Sequence, residues 1–497
     1  VTTPTARAGT RALLDAVYRA PLTHHLRQGA AAAAFDAAER ARARTLAELL
    51  GSPALRPRSA VAPGLLAQRA ALRTRLEQAY AAEPSPAEQP APAESWSASL
   101  ARELADLDRR IELADPALAG LTALAPLTVE QVVVTRDDVQ AQPIPKPSIQ
   151  WLRAYLADHL DGSRRGILVP AAGGAYLEPP RQLFPPLYRT LLAPFEKWLE
   201  AAQTVYIVPH GPLHYMPLGA LTPDLAGPPP LLAAERRVVY TPSATVLLGY
   251  CHTRAPSARQ GVLAVAPQDA HLQVTQGAAH MLAGHSQGDA LLGEAATRQT
   301  LLDRAGNYRI VCFLGHGLFD ARYPMSSRLQ LSDGALYATD ILADLRLEAD
   351  LVVLAACETG RSQVLRGDEI LGLTRSVLYA GTPSLLVTLW RVHEAPTRLL
   401  VERLFATLRD SAAGHGAGDA AAALAAAQCW LRALPVAEAR AAMTAWDDLS
   451  PAAVETQIGQ LWQMTQRDRP LQDHAPLFTH PFFWSAYILV GDRPPAP

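Results

Sequence analysis

Apolar positions are spaced in two different ways along the chain. From 10 to 50 they recur at steps of three and four, first Leu13, Leu14, Val17 and Tyr18, then Phe35, Ala38, Ala41, Thr45 and Leu49, with a break at Gly29. That spacing puts one apolar stripe on each of two helices and predicts an antiparallel helical region over 1–52. Residues 65–80 and 97–114 repeat the pattern around EPSPAEQPAPAES at 83–95. This stretch is rich in proline and lacks large apolar residues, so a helical hairpin over 60–118 with an extended, disordered tip is expected. After Leu127 the spacing changes to short apolar runs between helical segments. Strands are predicted at 131–135, 166–170, 204–208, 238–240, 262–266, 309–314, 351–355 and 384–389. Several are apolar throughout, as befits strands covered on both faces, so residues 127–493 read as an α/β/α sandwich around a mostly parallel sheet.

The tail fits the same domain. AAAALAAAQCWLRALP at 420–435 forms a helix with an apolar face, and HPFFWSAYILVG brings a last strand to the edge or centre of the sheet. Phe482, Phe483, Trp484 and Tyr487 are expected in the core.

With 497 residues, two or more domains are expected. The formal net charge is -2, with both signs scattered along the chain. That leaves no electrostatic footprint for nucleic acid or anionic lipid, and neither is expected as a primary partner. The four cysteines, Cys251, Cys312, Cys357 and Cys429, lie far apart without a CxxC pair, which argues against a disulfide framework or a structural zinc site and for a reducing compartment. No run of about 20 apolar residues and no signal-like leader is present, so a soluble cytoplasmic protein is expected. The abundance of Ala, Arg and Pro suggests a GC-rich bacterial source.

Two predicted strands end in chemistry-bearing residues. RIVCFLGHG runs into His316 and Gly317, and LVVLAACETG runs into Cys357 with Gly360 closing the turn. Ligands of an open parallel sheet bind at the carboxyl ends of its strands, so His316 and Cys357 are candidates to face one crevice. An imidazole near a thiol can take its proton or hold the thiolate as an ion pair. The N–H of Gly317 and that of Cys357 would then form an oxyanion hole. Cys312, within the strand before His316, belongs to the core, and Cys251 and Cys429 lie in helical surroundings.

A competing signature is Gly284-His285-Ser286-Gln287-Gly288, which matches the G-x-S-x-G nucleophile elbow of serine hydrolases. An elbow needs a buried strand, a strained turn and a helix in that order. Here GAAHMLA before it has helical composition, and GDALLG after it is expected to open a loop, so the serine-hydrolase reading ranks below the cysteine one.

Ordered blocks across the second half carry a family resemblance. They are VYIVPHGPLHYMPLGAL at 205–221, YTPSATVLL at 240–248, LLGEAATRQTLL at 291–302 and VCFLGHGLFD at 311–320. SSRLQLSDG at 326–334, DLVVLAACETG at 350–360, GDEILGLTRSVLYAGTPSLLVTLWRV at 367–392 and HPFFWSAYILVGD at 480–492 follow. This part of the chain resembles the CHAT-domain family, caspase-like cysteine peptidases often attached to tetratricopeptide repeats. AFDAAERARARTLAELLG at 34–51 resembles the last helix of such an array, and because one unit cannot bury its own face, repeats upstream of it are expected.

The resemblance implies a caspase-like fold, a dyad of His316 and Cys357, Gly317 in the oxyanion hole, hydrolysis of peptide bonds through a thioester, and no metal or organic cofactor. Where the family usually has an acidic pair after the tryptophan-containing strand, this chain has Trp390-Arg391-Val392-His393-Glu394. Glu394 is a candidate to give negative charge to a pocket for Arg or Lys before the cleaved bond. Asp320, Asp333, Glu358 and Asp368, in loops near the two strand ends, are its competitors. A protein substrate is expected, and a protein partner acting on the helical region. The rival reading is a catalytically idle caspase-fold scaffold.

Overall fold

In the computed structural model, the described residues are isolated helical positions between 33 and 107, two strands at 130–134 and 139–143, and most of 184–493. Within 184–493, residues 210–212, 214–215, 225–228, 230–235, 270–271, 273, 319–325, 356–370, 391, 413–418 and 467–468 fall outside them. So do most of the region predicted as tetratricopeptide-like and the strand predicted at 166–170. Positions 68, 71, 72 and 75 are helical, as are 100, 103, 106 and 107, with Leu72, Leu100 and Leu107 buried.

β1 (Glu130–Val134) and β2 (Val139–Pro143) form an antiparallel hairpin. Then come α1 (Phe184–Leu191), α2 (Glu196–Ala201), β3 (Thr204–Ile207), β4 (Arg237–Tyr240) and β5 (Gln260–Pro267). The chain continues through α3 (Thr275–His285), β6 (Asp289–Gly293), α4 (Arg298–Arg304) and β7 (Tyr308–Leu314). A small excursion follows: β8 (Gly317–Leu318), β9 (Arg328–Leu331) and β10 (Gly334–Tyr337), an antiparallel sheet in the order β10-β9-β8. The main domain resumes with α5 (Ala338–Asp344), β11 (Leu351–Ala355), α6 (Leu371–Ala380) and β12 (Leu385–Thr388). It ends with α7 (Glu394–Ala412), α8 (Ala420–Ala433), α9 (Val436–Thr444), α10 (Pro451–Gln466) and β13 (Tyr487–Val490).

Eight strands make the main sheet, in the order β3-β4-β13-β12-β11-β7-β5-β6. All neighbours are parallel except β12 and β13. Every residue of β11, β12 and β13 is buried, which is why LVVLA, LLVT and YILV contain almost no polar side chains. The last strand therefore lies inside the sheet, between β4 and β12, and Phe482, Phe483, Trp484 and Tyr487 are core residues.

The order of the strands locates the crevice. From β5 the chain passes through α3 to β6 on one side, then returns past β5 to β7 and goes on to β11 and β12 on the other side. Right-handed crossovers in opposite directions place their helices on opposite faces of a sheet. On one face α3 packs against α7 and α7 against α8, and elsewhere α5 packs against α6. The result is a mostly parallel sheet flanked by helices, and the connections leave β5 and β7 in opposite directions at their carboxyl ends. Such a switch point opens a ligand-binding cleft in α/β sheets.

Several short strands depart from the expected pattern, β6, β9 and β10 among them. GDALLG opens no loop: Asp289–Gly293 is the edge strand β6, paired in parallel with β5. Its alternating half-buried and buried residues are too few for periodicity to register, and its pairing with β5 makes it a strand. β9 and β10, also not predicted as strands, are four residues each and hold together by cross-strand pairing.

Candidate active site

β7 ends at the switch point, and its next two residues turn out of the sheet. A side chain at Gly315 would press on the Phe313 ring at 3.1 Å and on Pro267 at 3.3 Å, so glycine lets the chain pass this junction of β5 and β7. His316 follows, with about a quarter of its side chain exposed. Its Nε2 lies 3.1 Å from Oδ2 of Asp269, equally exposed, which stands two residues beyond the end of β5. The two strands flanking the switch point thus bring an imidazole and a carboxylate together.

The His316 carbonyl accepts the N–H of Gln330 at 2.8 Å, and Gly317 is paired with Leu329. That bond alternates with the register in such a way that Gly317 and Leu329 form a non-hydrogen-bonded pair. The N–H of Gly317 therefore points away from β9, and β8 is the outer strand of its small sheet.

On the other side of β7, β11 runs parallel to it with Ala355 opposite Leu314, the last paired residues of the two strands. Cys357, two residues further on, lies outside the described residues, as do Asp320, Glu358 and Asp368. Asp333 is bound elsewhere: its Oδ1 accepts the backbone N–H of Arg298, the first residue of α4, at 2.8 Å. Glu394 opens α7, where its Oε1 accepts the backbone N–H of buried Val274 at 2.5 Å. Arg398, one turn on, donates to the Val274 carbonyl at 3.2 Å. The start of α7 thereby grips both backbone groups of the residue ahead of α3, where the connection from Asp269 ends.

Asp269 was not among the residues singled out from the sequence. The signal was available in its position: AVAPQD, VCFLGH and VVLAAC each carry a polar or thiol-bearing residue two places beyond the end of an apolar strand.

Ser286 is placed apart from this group. It caps the carboxyl end of α3 and precedes β6, so the motif runs helix, turn, strand, the reverse of a nucleophile elbow. The residue with positive φ is Gln287, not the serine. Gly288 has a packing reason of its own, because a Cβ there would come 1.9 Å from the Val262 carbonyl oxygen. The serine also sits at the amino-terminal end of the parallel strands, about 20 Å of strand length from the end that carries His316.

The other cysteines have structural surroundings. Cys312 is buried inside β7 and Cys251 is buried in a turn of π-helix, and burial pushes both thiols up, that of Cys251 to about 12. Cys429 lies half-buried in α8. Among the described residues no group of three or more His, Cys, Asp or Glu side chains could hold a metal ion, and no helix is long and apolar enough to cross a membrane.

The family model described as CHAT domain matches residues 182–492. No curated protein matches the chain. Two solved structures of the Saccharomyces cerevisiae separase–securin complex match at 12% identity, covering 86% of this chain, with TM-scores of 0.30 and 0.33. This chain spans about a quarter of the length of those separase chains, 24% and 25%. The family model accounts for well over half of the residues, including both strand ends, and the chain belongs to the CHAT domain family, whose members have a caspase-like protease fold.

Proposed function

We propose that the protein is a cysteine endopeptidase in which His316 is the general base and Cys357 the nucleophile. The observation that carries this reading is the pairing of β7 with β11, in register to their last residues, Leu314 and Ala355, next to the switch point between β5 and β7. His316 and Cys357 each follow these residues by two positions.

The steps require little else. His316 takes the thiol proton, and the sulfur electron pair forms a C–S bond to the scissile carbonyl carbon while the C=O π pair moves onto oxygen. The N–H groups of Gly317 and Cys357 stabilise that oxyanion. Collapse re-forms the carbonyl and breaks the C–N bond, and the amine leaves with the proton held by His316. Water then attacks the thioester, its proton passing to His316, and cleavage of the C–S bond returns the thiol and a carboxylic acid. Each proton is accounted for by one imidazole, so the route uses no metal or organic cofactor.

Glu394, Asp320, Glu358 and Asp368 are the carboxylates that would give a pocket for Arg or Lys before the cleaved bond. The substrate would be a protein, in the cytoplasm, with cleavage regulated by a partner acting on the helical region ahead of residue 127.

The test is a positional peptide library with a fluorogenic leaving group, run on the wild type and on Cys357→Ala, His316→Ala and Ser286→Ala. Cleavage abolished in the first two and retained in the third is expected. Loss in Ser286→Ala alone would overturn the cysteine mechanism, and labelling of no residue by a peptide electrophile together with no cleavage would favour the idle scaffold.

A further inference from the structure

The contact between His316 and Asp269 goes one step beyond the dyad, to the question of which ring nitrogen moves the proton. A neutral imidazole carries one N–H and one basic nitrogen, and the hydrogen bond made by one nitrogen selects the role of the other. Nε2 lies 3.1 Å from the carboxylate of Asp269, and an ionised carboxylate has only acceptor sites. The negative charge at that separation favours the tautomer with its proton on Nε2, leaving Nδ1 as the base.

We infer that Asp269 is a positioning residue that holds His316 as the Nε2–H tautomer and so keeps Nδ1 as the basic nitrogen. This rests on His316 serving as general base. The transfer balances simply: the proton leaves the sulfur of Cys357 and binds Nδ1, the electron pair stays on sulfur, and Nε2–H stays beside Asp269. The carboxylate takes up no proton and stabilises the imidazolium that forms.

Two further observations support a built arrangement. Asp269 and His316 follow the two strands between which the topology reverses, so the parallel pairing of β5 and β7 brings both to the same edge of the sheet. The connection that carries Asp269 is anchored at Val274, held by Glu394 and Arg398. Other charged groups at this edge are engaged elsewhere. The Arg328 guanidinium of β9 lies over the Tyr337 ring, 5.8 Å from its centroid, and Asp333 accepts from the backbone of Arg298.

The experiment uses the whole chain labelled with 15N-histidine, the His316 signals being identified by their loss in His316→Gln. At pH 8.5 the nitrogen shifts are expected to show His316 wholly as the Nε2–H tautomer in the wild type and as a mixture in Asp269→Ala. Alkylation of Cys357 by iodoacetamide at pH 7 is expected to slow about tenfold in the same variant. With a cleavable peptide, kcat is expected to fall by about 10² to 10⁴ while KM changes little. Unchanged signals from the other histidines report that the variant is folded, and Asp269→Asn gives a second, closely isosteric variant. A wild-type proton on Nδ1, or the same tautomer distribution with and without Asp269, would overturn the inference. The tautomer readout needs no substrate. A wild type that shows the tautomer shift yet cleaves nothing counts against the peptidase reading and leaves the role of Asp269 standing.

Discussion

Leu314 and Ala355 face each other across β7 and β11 as the last paired residues of two parallel strands. Adjacent strands lie about 4.8 Å apart, so this one register brings the chain segments leading to His316 and Cys357 side by side. A peptide carrying an electrophilic acyloxymethyl ketone is expected to label the protein once, at Cys357. His316→Ala should slow that labelling by a factor of about 10² or more, whereas Ser286→Ala leaves it unchanged. Mass spectrometry of the labelled peptide checks both.

Gly317 can be tested through its backbone alone. Its N–H points away from β9, so replacing it costs no bond of the β8–β9 ladder. Gly317→Pro removes that N–H and is expected to lower kcat by about 10² to 10³, the usual consequence of losing one oxyanion donor. Peptide kinetics beside a thermal melt separate this effect from unfolding.

Glu394 has a structural task irrespective of any substrate pocket. Glu394→Ala leaves the buried N–H of Val274 without the carboxylate acceptor and is expected to destabilise the domain by about 1–3 kcal/mol in urea titrations. A cleavage preference that persists in this variant would leave the pocket to Asp320, Glu358 or Asp368. Loss of a preference for Arg or Lys would instead give Glu394 a place in the pocket.

Arg398 is buried and bonded to Glu402 at 2.7 Å and to Asp448 at 2.5 Å, with its guanidinium 4.3 Å from the centre of the Trp446 ring. Arg398→Ala would strand both carboxylates and release the Val274 carbonyl, and a loss of about 3–5 kcal/mol is expected. Arg398→Met, which keeps much of the packing but not the charge, should be no better, because both carboxylates still lack their cation. Denaturant unfolding of both variants checks this.

His393 makes stability depend on pH. Burial lowers its imidazole from 6.5 to about 4, and its Nδ1 has no hydrogen-bond partner among the described residues. Between these values the unfolded chain binds the proton and the folded chain does not. The stability attached to this residue is therefore complete above pH 6.5 and is lost as pH falls toward 4, by at most about 3 kcal/mol. Urea midpoints at pH 7 and pH 5 are expected to differ less in His393→Phe than in the wild type.

Much of the fold was legible because buried parallel strands are nearly continuous apolar runs: Leu351–Ala355 was recognised with its exact bounds, and 309–314 within one residue of Tyr308–Leu314. β6, β9 and β10 escaped because four or five residues carry too little periodicity, and their pairing partners, not their own side chains, make them strands. His316 announced itself by its place after an apolar run, while Asp269 occupies the same kind of place after β5 but reads as an ordinary loop aspartate.

By itself the sequence determined that the second half of the chain is α/β, which runs are buried strands, and that a histidine and a cysteine follow two of them. These are local properties, set by the composition and spacing of a few neighbouring residues. The tertiary structure alone decided that β5 and β7 are adjacent with their connections leaving in opposite directions, that Asp269 meets Nε2 of His316, and that Ser286 lies at the other end of the strands. Those facts follow from strand order and register. Both arise from pairing between segments distant in the chain, which no window along the sequence contains.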